Sequence, residues 1–227
     1  MNQELVFEST NYLTPYMFYN KFLFWVVRLE AFHGQKSKPP MTADEFVLAF
    51  RNLYGSGLRV SELTEATVGD FNLNHRILKI AKAKTGYNQL ATILPYDIDP
   101  LEKHFATKSK KDKAFPVGRH LLWDYAKDAG RLAGLNIGEV QKQKVIDGMW
   151  THVFRKSCSK RMKALGASRE LRMAKLRHVF KDAHDAYDNE NTQAVLAWEW
   201  NQWGIRRSMP KEEEKQSRQL IEKEMLN

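Results

Sequence analysis

Apolar side chains recur at helical spacing over residues 14–33, where Tyr16, Tyr19, Phe22, Leu23, Val26 and Val27 predict a core helix. Residues 34–40 (GQKSKPP) read as a loop by composition. The TADE run at 42–45 has the form of a capping box and opens a helix ending near Tyr54. Gly55 and Gly57 bracket a turn, and helical periodicity resumes from Leu58 to about Ala66. Two short β-like runs follow, 77–81 and 91–94, with residues 84–88 (KTGYN) between them as a hairpin turn. Pro95 and Pro100 end that sheet, and a basic loop follows at 108–113.

A helix is predicted over 120–133, then a polar loop to Gly148. Over 151–165, Phe154, Cys158, Met162 and Leu165 fall on one helical stripe, with Arg155, Lys156, Lys160, Arg161 and Lys163 mostly off it. A further helix spans roughly 168–176. Residues 192–203 form an amphipathic, Trp-rich helix, and the charged tail after Pro210 has helical composition. With no internal repeat and no second composition regime, the pattern implies an α+β, mainly α-helical domain with a small antiparallel sheet.

Charge narrows the partners. The 227 residues carry 36 Lys and Arg against 27 Asp and Glu, a formal charge of +9 that favours a polyanion. Charge alone does not separate DNA from RNA or from an anionic membrane. A single cysteine, Cys158, excludes an internal disulfide and a cysteine-based zinc site, which points to a reducing, intracellular (cytoplasmic) setting. The polar start of the chain is no signal peptide, and the apolar run 18–27 is too short to span a bilayer. No membrane, metal or cofactor is expected.

Five features then stand in an order that suits transfer of a DNA strand. That chemistry needs a nucleophile, charge stabilisers for the phosphate, a proton donor for the leaving 5′-oxygen and a basic surface. The segment Gly57-Leu58-Arg59-Val60-Ser61-Glu62-Leu63, the lysine of Lys84-Thr85-Gly86, the box Thr151-His152-Val153-Phe154-Arg155, His178 after Leu176-Arg177, and Tyr187 nine positions on together resemble the signatures of the tyrosine recombinases, the phage-integrase family. The resemblance spans about 42–191.

The resemblance implies a catalytic set of Arg59, Lys84, His152, Arg155, His178 and Tyr187, with Tyr187 as nucleophile. The resemblance and the chemistry of the side chains together imply a role for each. Arg59 and Arg155 offer planar, permanently charged donors to the phosphate as charge builds on phosphorus. Lys84 protonates the 5′-oxygen, with Lys82 a competitor for that task. His152 and His178 donate to phosphate oxygens or accept the phenol proton, with His184 a possible stand-in for His178 whose spacing to Tyr187 is wrong. Tyr187, a weak nucleophile at its free pKa of ~10, needs that cationic setting to form a 3′-phosphotyrosyl link. Glu62, one turn from Arg59, reads as an arginine-orienting partner.

Taken singly, each feature has a plainer explanation. Arginine after a glycine turn, a histidine and arginine at i, i+3, and a tyrosine nine residues after a histidine are all cheap accidents. His178 and His184 lack further soft ligands for a zinc ion, and the cluster Trp198, Trp200, Trp203 suits core or interface better than base stacking. The joint, ordered occurrence carries the case. Departures exist: Arg177 stands where the family usually has glycine, and Gln89-Leu90-Ala91 lacks an arginine often found on that strand.

The implied organisation is an extension or linker at 1–40, a catalytic core at 41–191, and a C-terminal helix and tail at 192–227. Only about forty residues precede Thr42, where the family usually carries a helical clamping domain, so the chain is expected to be an excised fragment or a minimal form. The helix at 192–203 either docks on a neighbouring subunit, as in the resembling family's tetramer, or folds back on its own core. Double-stranded DNA is the expected partner, bound by a homo-oligomer. The alternatives are a type IB topoisomerase-like nicking-closing enzyme and a non-catalytic DNA-binding module on the same fold.

Overall fold

The helix that sets the frame is α2 (Ala43–Ser56). Thr42 Oγ1 accepts the Glu45 N–H at 3.3 Å and Glu45 Oε2 accepts the Thr42 N–H at 2.8 Å, so the expected capping box forms. In this computed structural model, residues 12–33, 40–80, 89–135, 140–141, 144–145, 151–177 and 189–203 are described. A π-helical turn (Met17–Phe22) leads into α1 (Leu23–His33). After α2 come α3 (Val60–Glu65) and a three-stranded sheet of β1 (Phe71–Asn72), β2 (Ile77–Ile80) and β3 (Gln89–Thr92). Then follow α4 (Ile98–Phe105), α5 (Arg119–Leu132), the two-residue strands β4 (Val140–Gln141) and β5 (Lys144–Val145), α6 (His152–Ala164), α7 (Arg169–Lys175) and α8 (Asn189–Trp203).

The sheet is antiparallel in the order β1-β2-β3, with Phe71 opposite Leu78 and Leu78 opposite Ala91. Its main hairpin joins the two expected runs, with the second strand at Gln89–Thr92 and not at 91–94, while the hairpin turn lies outside the described residues. The core sits where α1 packs on α2 and α5, and α2 on α6. Phe18 stacks on Tyr54 at 4.0 Å between ring centroids, and Phe46 on Tyr125 at 3.9 Å. Phe154 of α6 meets Phe22 and Phe50, each at 5.3 Å. Rings of this size dominate the burial that holds four helices together.

Several expectations need correction. The buried stripe at the N-terminal end is Phe18, Phe22, Leu23, Val26 and Leu29, whereas Tyr16, Tyr19 and Val27 are exposed. The π-turn is wider than an α-turn and sets which residues face the core. The end of α2 extends past Gly55, so only Gly57 makes the turn. α4 was hidden by Pro95 and Pro100, yet both stand in first turns, where a missing N–H costs little. β1 and the β4–β5 ladder replace what reads as loop. Along α6, Leu165 is 42% exposed, while Arg155 and Arg161 are buried on the side expected to face solvent.

The C-terminal helix α8 packs on α7 and β3 of its own chain. Leu196 joins Ile77 and Leu90 of the sheet, and Trp198 lies against the cluster around Cys158 and Leu176. A buried polar network ties these parts together. Lys175 Nζ donates to Glu199 Oε1 at 2.5 Å and to Thr92 Oγ1 at 2.7 Å. Arg76 Nη2 donates to the Leu196 carbonyl at 2.8 Å. The helix is therefore held by directional bonds as well as by apolar burial.

Candidate functional site

Gly57 makes the turn on which the site is built. Its φ of 61° is left-handed, and a Cβ there would meet Leu176 Cδ2 at 2.7 Å and Cys158 Sγ at 3.3 Å. Two residues on, Arg59 takes an extended conformation at the N-cap of α3. An arginine side chain has no acceptor, so it cannot cap the helix itself. Glu62 closes the other half of the motif, with Oε2 accepting the Arg59 N–H at 2.8 Å. Its Oε1 accepts from Arg59 Nη1 at 2.5 Å, which gives Glu62 the orienting contact its spacing implied.

Arg155 arrives from α6, one turn after His152. Its guanidinium is spread over two backbone carbonyls, with Nη1 donating to Gly57 O at 2.6 Å and Nη2 to Leu176 O. Arg177, just beyond α7, adopts a left-handed φ of 53°. Its Nη2 donates to Glu62 Oε2 at 2.6 Å and lies 3.4 Å from Gly57 O, while Nη1 donates to Lys175 O at 3.2 Å. Three guanidinium groups thus gather around one carboxylate. Glu62 pairs with Arg59 and Arg177, while Arg155 donates to the two backbone carbonyls.

Burial makes this arrangement electrostatically unbalanced. Arg59 is partly open to solvent, but the side chains of Glu62 and Arg177 are each only 5% exposed. Burial alone would push the Glu62 carboxyl up; Arg177 and the hydrogen bonds from Arg59 overcome that and hold it below its ordinary value. Burial, with repulsion from Arg177 and Arg59 added, pushes the Arg155 guanidinium down to about 9. It stays charged at neutral pH. A nearly dry cluster with more cations than acids is a ready seat for an anion.

Beside this cluster lies an open cleft of about 650 Å³, lined by Arg59, Ser61, Arg119, His120, Thr151 and His152, among others. Arg119 and His120 stand at the start of α5, where the helix dipole adds positive potential. Trp123, 37% exposed, also faces it. The arrangement can hold a phosphate oxygen between guanidinium and imidazole donors. Among the described residues, no group of histidines, cysteines and acids is placed to hold a metal ion. No described helix is long and apolar enough to cross a membrane.

No family model matches the sequence, and no curated protein matches it. Solved structures do. XerA recombinase superposes with a TM-score of 0.55 at 14% identity, covering 91% of this chain and 68% of that one. The integrase from mycobacterium phage Brujita gives 0.55 at 12% identity over 86% of this chain and 74% of its own. XerH site-specific recombinase, bound to its difH substrate, gives 0.53 at 16% identity over 83% of this chain and 53% of its own.

The fold is that of the tyrosine recombinases.

Within this recombinase fold the structure brings Arg59 to His152 and Arg155, although it is almost a hundred positions from them in the chain. Arg59 and His152 line the cleft, and Arg155 lies behind it with its donors on Gly57 and Leu176. Lys84 (with Lys82), His178 (with His184) and Tyr187 lie outside the described residues. Sequence reading missed the part played by Arg177, whose only signal was an arginine in a place usually given to glycine. It also assigned nothing to Arg119 or His120, because a helix start carries no mark of what it faces.

Proposed function

We propose that the chain is a DNA strand-transferring tyrosine recombinase acting on double-stranded DNA. The observation that supports it best is the cation-rich cluster of Arg59, Arg155 and Arg177 beside a cleft shared by Arg59 and His152, within a recombinase fold. In this reading the scissile phosphate sits in the cleft against Arg59 and His152, with Arg155 adding charge from behind. Negative charge building on the nonbridging oxygens strengthens these interactions in the transition state, which is what accelerates the reaction. Tyr187 attacks phosphorus as its phenol proton passes to His178, and the 5′-oxygen leaves with a proton from Lys84. The 3′-phosphotyrosyl link retains the bond energy, so a second 5′-hydroxyl completes transfer and releases the phenol. Residues 41–191 are the proposed catalytic core, and the active assembly on DNA is a homo-oligomer.

The chemistry is tested by incubating the protein with a library of nicked duplexes and recovering strands that remain protein-linked in detergent. Wild type should yield DNA attached to the peptide containing Tyr187, and Tyr187→Phe should yield none. Equal recovery from both proteins, or linkage through another residue, refutes the mechanism.

A further inference from the structure

Arg177 connects the two halves of the arginine cluster, through Glu62 on the Arg59 side and through the adjoining Leu176 carbonyl on the Arg155 side. A side chain with a Cβ pays ~1–2 kcal/mol to sit in left-handed backbone, so something must hold it there. Two things follow from that conformation. The turn aims the preceding carbonyl, Leu176 O, at Arg155 Nη2. It also sends the Arg177 guanidinium across to Glu62, whose other oxygen holds Arg59. Arg177 itself does not line the cleft, and its terminal nitrogens are taken by Glu62, Gly57 and Lys175.

Charge adds a second reason for its presence. A carboxylate bound to Arg59 alone would cancel much of the charge that Arg59 offers to a phosphate. A second cation on the same carboxylate offsets that cancellation and leaves the Arg59 field directed at the cleft.

We propose that Arg177 is a positioning residue for the phosphate site: its left-handed turn fixes Arg155 through Leu176, and its guanidinium fixes and neutralises Glu62 so that Arg59 is preset for a DNA phosphate. This rests on the recombinase reading. Arg177 acts on the reacting phosphate only through Arg59 and Arg155.

The test compares wild type with Arg177→Gly, which keeps the turn without strain, with Arg177→Met, which keeps the bulk, and with Arg177→Lys. Two quantities are read on the intact chain: the dissociation constant for inorganic phosphate by calorimetry, and the single-turnover rate of DNA-linked protein at saturating duplex. Whichever of the glycine and methionine variants folds should bind phosphate about tenfold more weakly, the equivalent of one lost charge-assisted contact. Its linkage rate at saturating DNA should fall by at least about tenfold, and Arg177→Lys should recover most of the phosphate affinity but less of the rate, since it lacks the planar fork. A folded glycine or methionine variant with wild-type phosphate affinity and rate overturns the inference, as does a lysine variant no better than methionine. If wild type forms no DNA linkage, the recombinase reading fails. The phosphate measurement then decides on Arg177 by itself.

Discussion

Replacing Glu62 with alanine removes the carboxylate that Arg59 and Arg177 share, and leaves three guanidinium groups facing one another. Breaking a buried pair by deleting one partner costs ~3–5 kcal/mol, because the stranded charge stays dry. Most of that applies to Arg177, whose pair with Glu62 is 5% exposed on both sides. The Arg59 pair is 37% exposed on the arginine side, so solvent screens it and its share is at most ~1 kcal/mol. Loss of the acceptor for the Arg59 N–H at the start of α3 is included in the same range. At ~2–4 °C per kcal/mol for a chain of this size, the melting temperature should fall by ~10 °C. Thermal unfolding followed by circular dichroism reads this directly. A second arm adds inorganic phosphate: with its internal acid gone, the cluster should bind the anion more tightly, so phosphate should raise the midpoint further in the variant than in wild type. A Glu62→Ala protein within ~1 kcal/mol of wild type, or one that gains no more from phosphate than wild type does, would refute the picture of an underneutralised arginine cluster.

Three further predictions concern the frame around the site. Gly57→Ala forces a left-handed alanine whose Cβ meets Leu176 Cδ2 at 2.7 Å, and chemical denaturation should show a loss of ~2–4 kcal/mol. Glu199→Ala strands the buried Lys175, 2% exposed, and should cost ~3–5 kcal/mol, whereas the paired change Lys175→Met with Glu199→Leu should cost clearly less in the same urea titration. Asp97 and Glu62 should show opposite pH dependences. Burial, only partly offset by Arg51, pushes the Asp97 carboxyl up to about 6, so the native state binds its proton more tightly and that group's contribution to stability falls as pH rises from about 4 to about 6. Glu62 is held below its ordinary value, so its contribution is present above pH ~4.5 and is lost as pH falls through the folded value. Urea midpoints across pH 3–7 for wild type, Asp97→Asn and Glu62→Gln read both signs; an Asp97→Asn curve parallel to wild type between pH 4 and 6 would refute the first.

What was legible in the chain was local. The TADE box at 42–45 became a capping box because its two bonds span three residues. The extents of α5 and α7 followed the apolar period to within a residue or so. Glu62 could be read as a partner for Arg59 because both stand in one helical turn. Misreadings arose where a second element decided the outcome. Arg155 and Arg161 lie off the apolar stripe of α6 yet are buried, since Gly57 and Leu176 cover one and Tyr96 and Trp203 the other. Periodicity reports one face of a helix and says nothing about a neighbour on its other side. The prolines at 95 and 100 looked like terminators because position within a first turn is invisible without the fold.

By itself, then, the sequence determined most of the helices, the main hairpin, the turn at Gly57, the basic balance and the ordered motifs that resemble a recombinase. Each depends on residues a few positions apart or on a simple count. The tertiary structure alone decided that Arg177 joins Arg59 on Glu62, that Arg155 is held by two carbonyls, and that Lys175 reaches Glu199 and Thr92. Those contacts join residues 21 to 115 positions apart. Burial makes them strong, and burial belongs to the packed molecule, where an unpaired charge has no water to fall back on.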